Sequence, residues 1–110
     1  AAICSVRGGS KEQMGYACAM ALKNLMGLVC DPVAGLVEVP CVKRNVGGAV
    51  NALAAADMAL AGIASHIPVD QVIDAMGEVG MKMDVSLRET SMGGVATSPK
   101  GLEIAERLGM

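Results

Sequence analysis

Two thiols bracket a stiff, irregular stretch: Cys30 and Cys41, in CDPVAGLVEVPCVKRN, residues 30–45. Cys30 sits two residues before Pro32 and Cys41 directly after Pro40. Each proline removes a backbone donor and biases the residue before it away from helix. Gly35 opens backbone angles that other residues avoid. A thiolate is a soft ligand, and thiols held on a rigid segment suit a metal ion or an iron–sulfur cluster. The eleven-residue separation matches none of the tight pairings, about two to four residues, of zinc ribbons and fingers. It is also wider than ferredoxin or thioredoxin-like spacing. Two thiolates do not complete a tetrahedral site or a cubane cluster, so further donors must come from elsewhere. Simple loop cysteines remain the alternative.

Lys43 and Arg44 follow directly. Cations here would ease the charge of a thiolate or an anionic cluster, or hold a substrate carboxylate, or merely face solvent. Asn45 is expected to cap the helix that follows. Arg88 and Glu89 read as a structural ion pair. The single histidine, His66, lies beside Pro68 in a turn and reads as a surface residue. Cys4 and Cys18 read as small buried hydrophobes, and the nine methionines as core filling. No nucleophile elbow or phosphate-binding loop is present.

These residues must be positioned by helices. The spacing of Met14, Ala17, Cys18, Ala21, Leu25 and Leu28 predicts a helix over Lys11–Val29, started by a Ser10/Gln13 capping box after the Gly8–Gly9 turn. A second helix is expected over Val46–Ala64, with Ala49, Leu53, Ala56, Leu60 and Ile63 in one stripe and Ala and Gly lining much of the rest, so that it can pack on several sides. Asn51 on it needs a partner, either the cysteine loop or a substrate. A third is expected from Pro68–Val69 to Met81 on a Val69, Val72, Ile73, Met76 and Val79 stripe, and a last short one over Leu102–Leu108 after a loop at Thr97–Gly101. The opening AAICSV reads as the tail of a helix. No segment alternates strictly, so the fold class is all-α, a helical domain with a proline-rich cysteine loop between helices.

With 110 residues, 53% of them hydrophobic, the chain is one domain or part of one. The net charge is −2, there is no Phe or Trp and only one Tyr, which argues against nucleic acid as a partner. No apolar run reaches the roughly 18 residues of a spanning helix, and no signal peptide opens the chain. The expected compartment is the cytoplasm, where thiols stay reduced.

The stretch MGLVCDPVAGLVEVPCVKRN, Met26 to Asn45, closely resembles the α chain of the iron–sulfur-dependent L-serine dehydratases. The resemblance continues through NALAAADMALAG (Asn51–Gly62), IPVDQVIDAMGEVG (Ile67–Gly80), LRET (Leu87–Thr90) and GGVATSPKG (Gly93–Gly101), nearly the whole chain. It implies deamination of L-serine to pyruvate and ammonia, in amino-acid degradation and gluconeogenesis, on a [4Fe–4S] cluster in place of pyridoxal phosphate. It implies three cysteine ligands, of which the last two match Cys30 and Cys41. The first belongs to a motif upstream of Ala1, matched by neither Cys4 nor Cys18, and the family's proposed histidine base is not matched by His66. Residues 1–110 are thus expected to be the C-terminal part of the α-chain catalytic domain, inactive alone. The expected partners are L-serine, the rest of the α chain and a β subunit or fused β domain, in an oligomer. Lys43, Arg44 and Asn45 are the candidate substrate contacts. The alternative is a helical metal-binding or structural domain without its own catalysis.

Overall fold

A computed structural model describes residues 1–110. It is all-α, as expected, with α1 at Ala2–Val6, α2 at Lys11–Leu25, α3 at Cys41–Leu60, α4 at Val69–Lys82 and α5 at Pro99–Arg107. Short 3-10 turns lie at Val33–Gly35, Val85–Leu87 and Gly94–Thr97. The only extended pairing is an isolated parallel bridge between Cys30 and Arg88. No helix is long and apolar enough to cross a membrane. The chain divides into two compact units, one of Ala1–Gly27 with Gly47–Met81, the other of Leu28–Val46 with Lys82–Met110.

The first unit has a core of small residues: Cys4, Ala17, Met20, Ala55, Ala56 and Ala59, flanked by Ile3, Met14, Tyr16 and Leu60. Alanine lets helix backbones approach closely, so little aromatic volume is needed to fill the interior. The Ser10/Gln13 capping box forms as read from the sequence, and the Gln13 side chain also donates to the Ala59 carbonyl at 3.2 Å. Cys4 is fully buried, while Cys18 is half-buried. Gly9 ends the turn after α1 so close to Cys4 that a β-carbon would meet the Cys4 carbonyl oxygen at 2.9 Å and press on its sulfur. Gly9→Ala should therefore cost about 1–3 kcal/mol through overpacking; equilibrium denaturation checks this, and a neutral substitution would show that the turn yields.

Several boundaries differ from the sequence reading. Helix α2 stops at Leu25 instead of Val29, because Met26 turns extended and Gly27 adopts φ +82. Helix α3 begins at Cys41 instead of Val46, so Cys41–Asn45 is its first turn and Asn45 is not its cap. Pro40 suits the start of a helix, where no partner is asked of its nitrogen, and its carbonyl accepts the Arg44 N–H at 3.0 Å. Helix α3 ends at Leu60, before Gly62 at φ +95. Of the expected stripe it buries Ala56, together with Ala55 and Ala59, and leaves Leu53 51% exposed; Ile63, beyond its end, is 50% exposed. Asn51 finds its partners on α2, donating to the Ala21 carbonyl at 3.0 Å and accepting from Asn24 at 2.9 Å. Helix α4 follows the expected span, with Val72 as its buried residue and Ile73 exposed. Helix α5 starts at Pro99, inside the expected loop, because Ser98 accepts the Gly101 N–H at 3.1 Å and Pro99 fixes the first turn.

Candidate functional site

Both chain-separated cysteines fall in the second unit. The segment between them closes on itself: the Val33 N–H donates to the Val39 carbonyl at 2.9 Å and the Val42 N–H to the Val37 carbonyl at 3.1 Å. This return brings the start of α3, and Cys41 with it, back toward Cys30. The two thiols are near enough for the charge of one to bear on the other.

Cys30 is held on both backbone sides by Leu87–Glu89. Its N–H donates to the Leu87 carbonyl at 2.9 Å, and its carbonyl accepts the Glu89 N–H at 2.8 Å. Glu89 and Ser91 carry φ of +68 and +57, a left-handed conformation that non-glycine residues adopt at a cost and that clusters at functional sites. The Ser91 hydroxyl donates to the Pro32 carbonyl at 2.5 Å. The expected Arg88–Glu89 ion pair is replaced by this backbone arrangement, and the Arg88 charge bears on Asp84 instead. The Cys30 thiol is pushed up from its ordinary pKa, first by burial and then by the charges of Glu89, Cys41 and Asp31, with Arg44 opposing. A bound cation would offset those same negative charges and favour the thiolate.

Asp31 is the buried charge of the unit, only 1% exposed. One carboxylate oxygen accepts from Arg44 Nη1 at 2.5 Å, the other from the Val95 N–H at 2.7 Å. Burial alone would raise its pKa, but the Val95 N–H and the Arg44 hydrogen bond and charge outweigh it and hold the carboxyl below the ordinary aspartate value. Arg44 Nη1 also donates to the Val29 carbonyl at 2.8 Å. Gly94, at φ +62, lies so close that a β-carbon there would come within 2.7 Å of Asp31 Cβ and Cγ. Gly94→Ala combines this collision, about 1–3 kcal/mol, with a left-handed backbone, about 1–2 kcal/mol. A drop of that size in denaturation midpoint, with lost protection of the Val95 amide in hydrogen exchange, is the expected outcome.

Of the residues singled out from sequence, the fold brings Cys30, Cys41 and Arg44 together. Lys43 and Asn45 are exposed on the first turns of α3, and His66 is exposed in the first unit. Asp31 was not singled out, and within Leu87–Val95 only Arg88 and Glu89 were, as an ion pair, although parts of that segment carry the family resemblance. The available signal for Asp31 was a lone carboxylate between cysteine and proline in apolar surroundings. All four cysteines are free. No third His, Cys, Asp or Glu joins Cys30 and Cys41 in a metal-holding group. As a donor set, two half-buried thiols on a pinned backbone fit part of a soft-metal or iron–sulfur site and need donors beyond these residues.

Residues 1–96 match the family model described as the serine dehydratase alpha chain. The chain belongs to the serine dehydratase α-chain family. It is 60% identical, over 98% of its length, to a probable L-serine dehydratase alpha chain of Bacillus subtilis, covering 36% of that relative. It is 59% identical over 94% of its length to a probable L-serine dehydratase alpha chain of Latilactobacillus sakei, covering 50% of it. It is 50% identical over 94% of its length to the L-serine dehydratase alpha chain of Peptoniphilus asaccharolyticus, covering 36% of it. The chain thus spans between about a third and half of the serine dehydratase α chains it matches.

Proposed function

We propose that residues 1–110 are the C-terminal part of the catalytic domain of an iron–sulfur-dependent L-serine dehydratase α chain, and that Cys30 and Cys41 supply two of three thiolates to a [4Fe–4S] cluster. The observation that carries this reading is the thiol pair itself. In a member of this family, a loop closed by the Val33–Val39 and Val42–Val37 hydrogen bonds returns Cys41 toward Cys30, whose own backbone is fixed by Leu87 and Glu89. The substrate is L-serine, the products are pyruvate and ammonia, and the setting is the cytoplasm, without pyridoxal phosphate. The third thiolate and the base come from the remainder of the α chain, which together with a β subunit or fused β domain forms the active oligomer; residues 1–110 alone are inactive.

When bound, the cluster supplies a Lewis acid for the serine hydroxyl, a poor leaving group. The residues of this chain hold and orient. Cys30 and Cys41 fix the position of the cluster against the start of α3. Lys43 and Asn45, exposed on the first turns of that 20-residue helix, stand where its positive dipole end and a cation would draw the substrate carboxylate. Arg44 adds positive charge to the same turn while its Nη1 stays with Asp31 and Val29.

The test is iron, acid-labile sulfide and pyruvate formation from L-serine in the complete enzyme purified without oxygen. The expected result is bound iron and sulfide with activity lost on exposure to air. Full serine dehydration by iron-free enzyme would refute the reading.

A further inference from the structure

We propose that the Arg44–Asp31 pair is a positioning device that sets the spacing of the Cys30 and Cys41 thiols. This rests on the reading of those thiols as cluster ligands.

One nitrogen, Arg44 Nη1, grips the residues on both sides of Cys30: the Val29 carbonyl at 2.8 Å and the Asp31 carboxylate at 2.5 Å. Arg44 lies three residues after Cys41 on α3, a spacing that stacks the two on neighbouring turns of one helix face. The guanidinium therefore ties the flanks of one cysteine to the helix turn that carries the other. The other oxygen of Asp31 is engaged by the Val95 N–H at 2.7 Å, and Gly94 lies close against the same side chain. Cys30 has its own N–H and carbonyl committed to Leu87 and Glu89. The main chain at Cys30 cannot slide along α3 without breaking the ion pair to the buried Asp31 carboxylate or that backbone bridge. Loss of an outer group that fixes a ligand in this way typically costs about 10–100-fold in metal affinity. A guanidinium suits the task because its donors are held in a rigid plane, whereas lysine offers a single mobile point charge.

The experiment uses the complete enzyme, stripped of iron without oxygen, and phenylarsine oxide. The arsenical condenses with two thiols, forming two As–S bonds and releasing water, and so reports whether the thiols are correctly spaced. Mass spectrometry of the Cys30 and Cys41 peptides locates the adduct. The main variant is the double change Asp31→Asn/Arg44→Gln, which leaves no unpaired buried charge and a side chain too short to reach both Val29 and residue 31. It should bind the arsenical about 10–100-fold more weakly, and the reloaded enzyme should release iron to a chelator faster by a similar factor. Arg44→Lys, which keeps the charge, should recover part of both losses. Should the double variant fail to fold, Arg44→Lys against the unaltered enzyme decides alone, an unchanged affinity overturning the proposal. Arsenical affinity and iron release equal to those of the unaltered enzyme would show that the pair serves packing only. A rise in KM for serine with both readouts unchanged would make Arg44 a substrate contact and equally overturn it. Failure of the underlying reading looks different: Cys30→Ser and Cys41→Ser would lose the arsenical adduct yet keep their iron.

Discussion

Replacing Arg44 by methionine should destabilise the protein by about 3–5 kcal/mol, because it leaves the Asp31 carboxylate buried without its cation. Asp31 is 1% exposed, and after the change only the Val95 N–H would remain among its inter-residue partners. The ion pair is not itself a large source of stability, since desolvation of the carboxylate offsets most of the attraction. The loss comes from orphaning one member. Two consequences separate this account from a loss of packing. Asp31→Leu/Arg44→Met, which removes both charges, should recover much of the stability. The pH dependence should also reverse. The depressed Asp31 pKa contributes stability that is complete above the ordinary aspartate range and is lost as pH falls through the folded value. Without Arg44, burial dominates and the pKa rises, so the variant should gain stability relative to the parent on mild acidification. Denaturation midpoints between neutral and acidic pH, with hydrogen exchange at the Val95 amide, measure both effects.

The second large effect is on activity. Cys30→Ser or Cys41→Ser in the complete enzyme should lower serine dehydration by more than the roughly 10–100-fold that loss of an outer partner costs. A serine hydroxyl stays protonated near neutral pH and is a hard, weak ligand, while a thiolate is soft and binds iron firmly. Neither change should unfold the chain, since both thiols are only half-buried. Cys18→Ser is the contrast. It places a hydroxyl on a half-buried face of α2 and should cost about 1–3 kcal/mol at most, with activity per folded molecule intact.

Helix number and the local start signals were legible in the sequence because they are written in neighbouring residues. The Ser10–Gln13 box is the clearest case. Boundaries failed where one residue type has two uses. Pro40 reads as a breaker, yet at a helix start it is an initiator, and α3 begins one residue later. Met26–Val29 continues the apolar spacing of α2, yet Gly27 takes a left-handed turn and ends it. The buried face of α3 was only partly legible: Ala56 is buried as its place in the stripe implies, but alanine, valine and glycine surround much of the helix, so periodicity gives little contrast between Ala55 and Leu53. In the candidate site, Cys30 and Cys41 announce themselves by type. Asp31 does not, because its role depends on the Val95 N–H, 64 positions away. The Cys30 bridge to Arg88 is equally non-local. No local pattern records such contacts; the charge isolated among apolar residues was the one trace of them.

Iron and acid-labile sulfide per folded molecule, in Cys30→Ser, Cys41→Ser and Cys18→Ser forms of the complete enzyme purified without oxygen, test the assignment of the thiol pair most directly. The first two should lose most of their iron and sulfide while Cys18→Ser retains the full complement. A Cys41→Ser enzyme that keeps its iron, beside a Cys18→Ser enzyme that loses it, would contradict the assignment.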